Sequence, residues 1–345
     1  MARNRLRRCN RLNKQEYSSN TIIPIAGGKG GTGKSITAAN LSIALARRGH
    51  KVVAVDLDLG GSNLHSYLGL ENSLTSIGDF LNQKNARFED FLHPTPVSNL
   101  RFLPGDGRTP FLANMGYTNK IKLIRRLHKI DADYVILDLG AGSTFNTLDH
   151  FSLAPHGLLV TTGDRTAMMG MLMFMKNFLY RVISRNLKEF PEGLKIWNKI
   201  LEQPGEPSSL TIGQIVQQIE SSDPGAAREI ERLVSFYRPR LILNAGAHPE
   251  ELTQKLNRAS DAMRSMLGID PEHFGFVFAD PAVSESIEAG LPLLDYAPDS
   301  LAARSFTAIA GRISEMWQGS IENSRERLYR NTQNIFRTLW SEETE

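Results

Sequence analysis

The stretch Gly27-Gly28-Lys29-Gly30-Gly31-Thr32-Gly33-Lys34-Ser35 restricts what this chain can become more than any other. It stands between a short apolar run, Thr21 to Ala26, and a helical pattern, Ile36 to Arg48. Residues 28 to 35 fit G-x-x-x-x-G-K-[ST], a loop that cradles phosphates between a strand and a helix. Glycines let successive backbone N–H groups turn inward around an anion, and the helix adds the positive end of its dipole beneath it. Lys34 is expected to reach the β- and γ-phosphates, and the Ser35 hydroxyl to ligate Mg2+. Gly28, Lys29, Gly30, Gly31, Thr32, Gly33, Lys34, Ser35 and Ile36 together form the expected phosphate-binding set.

Beyond the loop the chain alternates strand and helix, the pattern of a parallel sheet covered on both faces. Strands are expected at Thr21–Ala26, Lys51–Asp56, Leu100–Leu103, Tyr134–Asp138, Gly157–Thr162, Leu241–Asn244 and Phe274–Phe278. Helices are expected at Lys34–Arg48, Lys120–Lys129, Asp164–Ile183, Leu301–Trp317 and Glu322–Trp340, with short turns near Ser76–Leu81 and Phe88–Leu92. The fold class is therefore α/β: a doubly wound, mostly parallel sheet flanked by helices, with ligands at the C-terminal strand edges. Residues 184–237 break the alternation, with helical patterns at Lys188–Leu201, Thr211–Ser221 and Ala226–Phe236, and read as an α-helical insertion. The division expected is a flexible basic arm over 1–20, a P-loop domain over 21–183 and 238–318, the insertion, and a C-terminal amphipathic helix with acidic tail over 319–345. The methionines of the long helix (Met168, Met169, Met171, Met173, Met175) are expected to pack on the sheet.

Three carboxylates stand at expected strand ends. Asp56 and Asp58 close the second strand, and Asp138 closes Tyr134-Val135-Ile136-Leu137. An apolar strand ending in Asp, behind a phosphate loop, is the pattern in which the carboxylate holds Mg2+ through water.

With Lys29 inside the loop, the run Lys-Gly-Gly-Thr-Gly-Lys-Ser resembles the deviant Walker A motif of the MinD/ParA family of ATPases. Asp56 to Leu64 resembles that family's first switch, Gly140 to Gly142 its second, and Ala279 to Pro292 the loop bordering the base. The resemblance implies ATP and Mg2+ as cofactors and a homodimer in the ATP state, in which Lys29 reaches the phosphates bound by the partner. It implies that Asp58 positions the attacking water, that Asp56 acts through the Mg2+ shell, and that the Gly142 region senses the γ-phosphate. It places Asn244 against the adenine and Pro281 beside it, although Ala245 stands where a basic residue often follows. The family fold implied is the same doubly wound sheet, and the activity a slow, partner-stimulated hydrolysis of ATP to ADP. Within the family the chain looks most like the flagellar-number regulators of the FlhG and FleN type. The expected role is to set the placement or number of an assembly such as flagella or the division site, through an activating protein partner that the sequence does not name.

Composition narrows the alternatives. The single cysteine, Cys9, excludes an internal disulfide and the paired cysteines of an iron–sulfur carrier, and fits a reducing cytoplasm. No apolar run approaches the roughly 20 residues that span a bilayer. The net charge of +3 is too mild to imply nucleic acid, yet Arg3, Arg5, Arg7, Arg8, Arg11 and Lys14 crowd the first residues. A partition ATPase of ParA type binding DNA non-specifically is thus the less favoured reading, and a nucleotide-gated scaffold without hydrolysis the other. Leu328, Tyr329, Thr332, Ile335, Phe336, Leu339 and Trp340 form one helical stripe flanked by Arg327, Arg330 and Arg337. Such a face over 324–340 is expected either to pack on its own domain or to attach the protein to the inner face of the cell membrane, and Glu342, Glu343 and Glu345 oppose the latter.

Overall fold

The computed structural model describes residues 20–71, 74–105, 115–202 and 210–342. The basic arm up to residue 19, the Pro204–Pro207 break and the last acidic residues lie outside them. The chain opens with β1 (Thr21–Ala26), α1 (Lys34–Arg47), β2 (Val52–Leu57), α2 (Leu64–Tyr67), α3 (Ile77–Asn82), β3 (His93–Pro94) and β4 (Leu100–Leu103). It continues with α4 (Tyr117–Leu127), β5 (Tyr134–Leu139), α5 (Phe145–Phe151), β6 (Leu158–Thr161) and α6 (Arg165–Asn186). Three helices, α7 (Pro191–Glu202), α8 (Ile212–Glu220) and α9 (Pro224–Phe236), precede β7 (Arg240–Gly246), α10 (Pro249–Leu267) and β8 (Glu272–Phe278). The last elements are α11 (Ala282–Glu288), α12 (Leu293–Tyr296), α13 (Leu301–Met316) and α14 (Ser324–Glu342).

The strands form one sheet in the order β3-β4-β2-β5-β1-β6-β7-β8. Every neighbouring pair is parallel except β3 with β4 at the edge. Register explains the two cores. Ile22, Val135 and Val53 align across three strands and face one layer, while Ile23, Ile136 and Ala54, one residue on, face the other. Side chains alternate across a strand, so a β-branched run buried on both faces is the signature of a central parallel sheet. Helices α1 and α13 cover the face of Ile23; α4, α5, α6, α10 and α14 cover the face of Ile22. The loop after β1 therefore emerges at the middle of the sheet.

Three details differ from the sequence reading, and a fourth bears on two alternatives that it left open. Asn20, assigned to the flexible arm, is buried and donates to the carbonyls of Leu127 and Ile130 at 3.0 and 2.8 Å. Its amide satisfies the C-terminal end of α4, so Asn20 belongs to the fold. Helix α10 has no counterpart in the sequence reading, although His248 as N-cap, Pro249 in the first turn and Glu250 and Glu251 behind it are start signals. The methionines of α6 divide: Met171 and Met175 are buried, whereas Met169 and Met173 are exposed. The α14 stripe from Leu328 to Phe336 is covered by its own domain, whereas the side chains of Leu339 and Trp340 lie outside those described. Leu328 and Thr332 are buried, and Phe336 packs between the Phe278 and His248 rings. Within 184–237 the described residues include α7, α8 and α9, and Trp197, Ile215, Ile219 and Ile230 join the same core as the sheet face.

One buried charge cluster joins three helices on that face. Asp149 of α5 pairs with the buried Lys120 of α4, with Arg181 at 3.0 Å and with Arg185 at 2.9 Å, both of α6. Burial alone would raise its pKa; hydrogen bonds from Arg181 and Lys120 and the charges of Arg185 and Lys120 prevail and hold it at about 2. The folded-state value lies below the ordinary one. The cluster therefore stabilises fully above the ordinary carboxylate range, and that contribution is lost as pH falls toward about 2. Asp149→Asn leaves Lys120 buried without its counter-charge and is expected to cost on the order of 3–5 kcal/mol in urea unfolding at pH 7. The gap between wild type and variant should narrow at pH 3; a cost under about 1 kcal/mol at pH 7 would show that the cluster is merely solvated charge.

Candidate functional site

The loop after β1 is shaped by what a side chain would strike. A Cβ at Gly28 would lie 1.8 Å from the backbone carbon of Gly170 on α6, so the loop rests directly on that helix. Gly33, at φ +91°, holds a left-handed conformation at the N-cap of α1, and a Cβ there would meet the Asn244 amide at 2.1 Å. Asn244 of β7 donates to the Thr32 carbonyl at 3.0 Å. The loop is thus clamped from α6 on one side and β7 on the other. Gly30 and Gly31 have open space around them.

Helix α1 begins without a side-chain cap and without an acidic residue in its first turn. Its free N–H groups and dipole are left for an anion. Lys34, the first residue of α1, is buried; Ser35 follows it half-buried and Ile36 buried.

The carboxylates meet at the adjacent ends of β2 and β5. Asp56 and Asp138 are register partners, both fully buried. Asp56 is occupied: one oxygen accepts from the Asp58 N–H at 3.0 Å, the other from the Ser62 hydroxyl at 2.7 Å and the Leu64 N–H at 3.1 Å. It folds the 58–64 loop back on the strand end. Asp138 differs, since neither of its carboxylate oxygens has a hydrogen-bond partner. Burial, then the charge of Asp56, push its pKa up to about 8, opposed by the Ser35 hydroxyl and the Lys34 charge. Burial likewise raises Asp56 to about 6. Asp58 is half-buried, and a Cβ at Gly140 would lie 3.0 Å from its carboxylate, so the segments that follow β2 and β5 touch here.

This arrangement fits a divalent cation with a phosphate ligand. Two buried carboxylates side by side, one with both oxygens orphaned, call for positive charge. Among the described residues no group of three or more His, Cys, Asp and Glu side chains could hold a metal alone. A Mg2+ ion would take Ser35, water and phosphate oxygens as ligands, with Asp138 behind the water.

Lys29 stands at the surface. Its ammonium lies 2.7 Å from the Thr166 hydroxyl and 3.3 Å from the Asp164 carboxylate, at the N-terminus of α6. Hydroxyls of Thr162 and Thr166, the Ala167 N–H and Lys29 hold the Asp164 carboxyl well below the usual carboxylate range. Asp164, Thr166 and Gly170 are site residues that the sequence reading missed. Gly142 holds φ +81° in the segment after β5, and Pro281 lies exposed at the start of α11 after β8. No hydrogen bond joins either of these two to the loop among the described residues.

A glycine loop clamped at the switch point of a parallel sheet, with an uncapped helix behind it and carboxylates beside it, defines a P-loop nucleotide-binding protein. Residues 23–293 match the family model described as the CobQ/CobB/MinD/ParA nucleotide binding domain, and the chain belongs to that family. It is 36% identical over 122 residues to the septum site-determining protein MinD of Helicobacter pylori, 35% of this chain and 45% of that protein. It is 36% identical over 151 residues to the MinD of Synechocystis, 43% of this chain and 55% of that protein. The chain thus spans about half the length of these relatives. The MinD of Pyrococcus horikoshii, solved with Mg-ADP, superposes with a TM-score of 0.56 at 22% identity over 86% of this chain and 96% of that one. That likeness shows the fold.

Asp138→Asn should remove the cost of burying this carboxyl beside Asp56 and raise the melting temperature of the nucleotide-free protein by about 1–2 °C, equivalent to roughly 1 kcal/mol. The same variant should lose any further stabilisation by Mg2+ with ADP. Scanning calorimetry with and without both ligands checks this, and a lowered melting temperature of the free variant would contradict it.

Proposed function

We propose that this chain is a switch ATPase that binds ATP and Mg2+, dimerises in the ATP state and hydrolyses ATP to ADP slowly. The reading rests on one observation above all: a second lysine, Lys29, sits within the phosphate loop and is held at the surface by Asp164 and Thr166. A cation so placed is available to a second subunit's nucleotide, where it would offset charge developing on the transferred phosphoryl group. Lys34 and the N–H groups at the start of α1 bind the β- and γ-phosphates. Asp58, touching Gly140 of the second switch, positions the attacking water; Asp138 and Asp56 act through the Mg2+ shell. Asn244 supports the loop through Thr32 and borders the base, with Pro281 at its edge.

Kinship with septum site-determining proteins supports a role in placing or counting a cellular assembly, the division site or flagella, with an activating protein partner. The apolar stripe of α14 packs on its own domain from Leu328 to Phe336, which supports leaving a membrane contact out of this proposal.

Light scattering tests it. Asp58→Ala with ATP and Mg2+ should show twice the mass of the nucleotide-free protein, because binding survives while water positioning is lost. Lys29→Ala should bind nucleotide and stay monomeric. Equal masses for Asp58→Ala with and without ATP would overturn the dimer.

A further inference from the structure

Helix α4 carries a second surface that the nucleotide site does not use. Its inward side is the buried Lys120, Leu123 and Leu127. Its outward side is a groove of about 540 Å³ along which Tyr117, Ile121, Arg125 and Lys129 recur at four-residue intervals. Residues four apart stand one above another on a helix, so Tyr117, Ile121 and Arg125 form a single row about two turns long, with Lys129 in the turn just beyond it. Thr118, Lys122 and Arg126 form the row beside it.

Charge on this face has one sign. From Met115 to Ile130 there is no acidic residue. Lys122 is spent internally, donating to the Phe80 carbonyl at 3.2 Å and lying over the Phe80 ring. Arg125, Arg126 and Lys129 are exposed and make no ion pair among the described residues. Tyr117, at 72% exposure, and Phe145, at 67%, are the two most exposed large apolar side chains among the described residues. They begin adjoining helices, since the Asn146 amide reaches the Met115 carbonyl at 3.4 Å. Phe145 is also three residues beyond Gly142 of the second switch.

We infer that the α4 groove, together with Phe145 on the adjoining helix, is a docking surface for a partner protein's acidic amphipathic helix. Three free cations along an apolar trough match a helix that carries Asp or Glu beside one apolar stripe. Exposed aromatics rimmed by arginine are the side chains that anchor protein interfaces. Three cations are few for a nucleic acid, whose affinity grows with each phosphate neutralised. The chain's own segment 106–114, with one Asp and one Arg, has no net charge to match the groove.

The probe is a fluorescein-labelled helical peptide of alanine, leucine and glutamate with leucines and glutamates on adjoining faces. A scrambled peptide of the same composition, duplex DNA and anionic phospholipid vesicles are the comparisons. Anisotropy with the full chain should show the ordered peptide binding at least tenfold more tightly than the scrambled one. Arg125→Glu with Arg126→Glu and Lys129→Glu should weaken it at least tenfold, and Tyr117→Ala severalfold, with circular dichroism unchanged. Hydrogen exchange should slow over residues 117–129 when the peptide is bound. The inference fails if the ordered peptide does not bind, if it binds no better than the scrambled one, or if charge reversal leaves it unaffected. It fails equally if DNA or vesicles, and not the peptide, depend on those three residues.

Discussion

The site depends on one contact without side chains: the backbone of Gly28 lying against the backbone of α6 at Gly170. Nothing larger than hydrogen fits between them. That contact holds the phosphate loop against a helix whose own N-terminus supplies Asp164 and Thr166 to Lys29. On the opposite side Asn244 ties Thr32 and presses on Gly33. A loop pinned from both sides has little freedom left to lose, and preorganisation of this kind lowers the ordering that binding would otherwise demand.

Beside the pinned loop stands a group of charges that the fold alone does not satisfy. Asp56 is hydrogen-bonded by the loop it organises, whereas Asp138 has no partner and is pushed up by burial and by its neighbour. A protein selected for stability alone would not place both carboxylates at adjacent strand ends. Local rules of polar satisfaction are broken at functional sites and kept elsewhere. Asp149 makes the contrast: equally buried, it is surrounded by three cations and stabilises the fold.

Much of this is legible in the sequence, for identifiable reasons. Strands β1 and β4 begin and end at their expected residues, because continuous apolar runs bounded by polar or glycine residues leave little choice. Asp56 and Asp138 stand side by side next to the loop because strand ends in a parallel sheet lie together. The illegible part depends on contacts between distant segments. Asp164, Thr166 and Gly170 read as an ordinary helix start and an ordinary helical glycine; only the packing of α6 on the loop makes them part of the site. The stripe on α14 has the same periodicity whether it meets a membrane or Phe278, and spacing cannot tell these apart. Helix α10 carries clear start signals that a reading keyed to apolar runs passes over.

The central claim is that the Gly28–α6 contact, more than glycine's flexibility in general, builds the nucleotide site. Titration calorimetry of ADP with Mg2+ against Gly28→Ala and Gly30→Ala tests it most directly, since the first methyl meets backbone and the second meets open space. Gly28→Ala should lose affinity by at least about 100-fold, close to 3 kcal/mol, while Gly30→Ala stays within about tenfold of wild type, both with native circular dichroism. Equal losses in the two variants, or full affinity in Gly28→Ala, would contradict it.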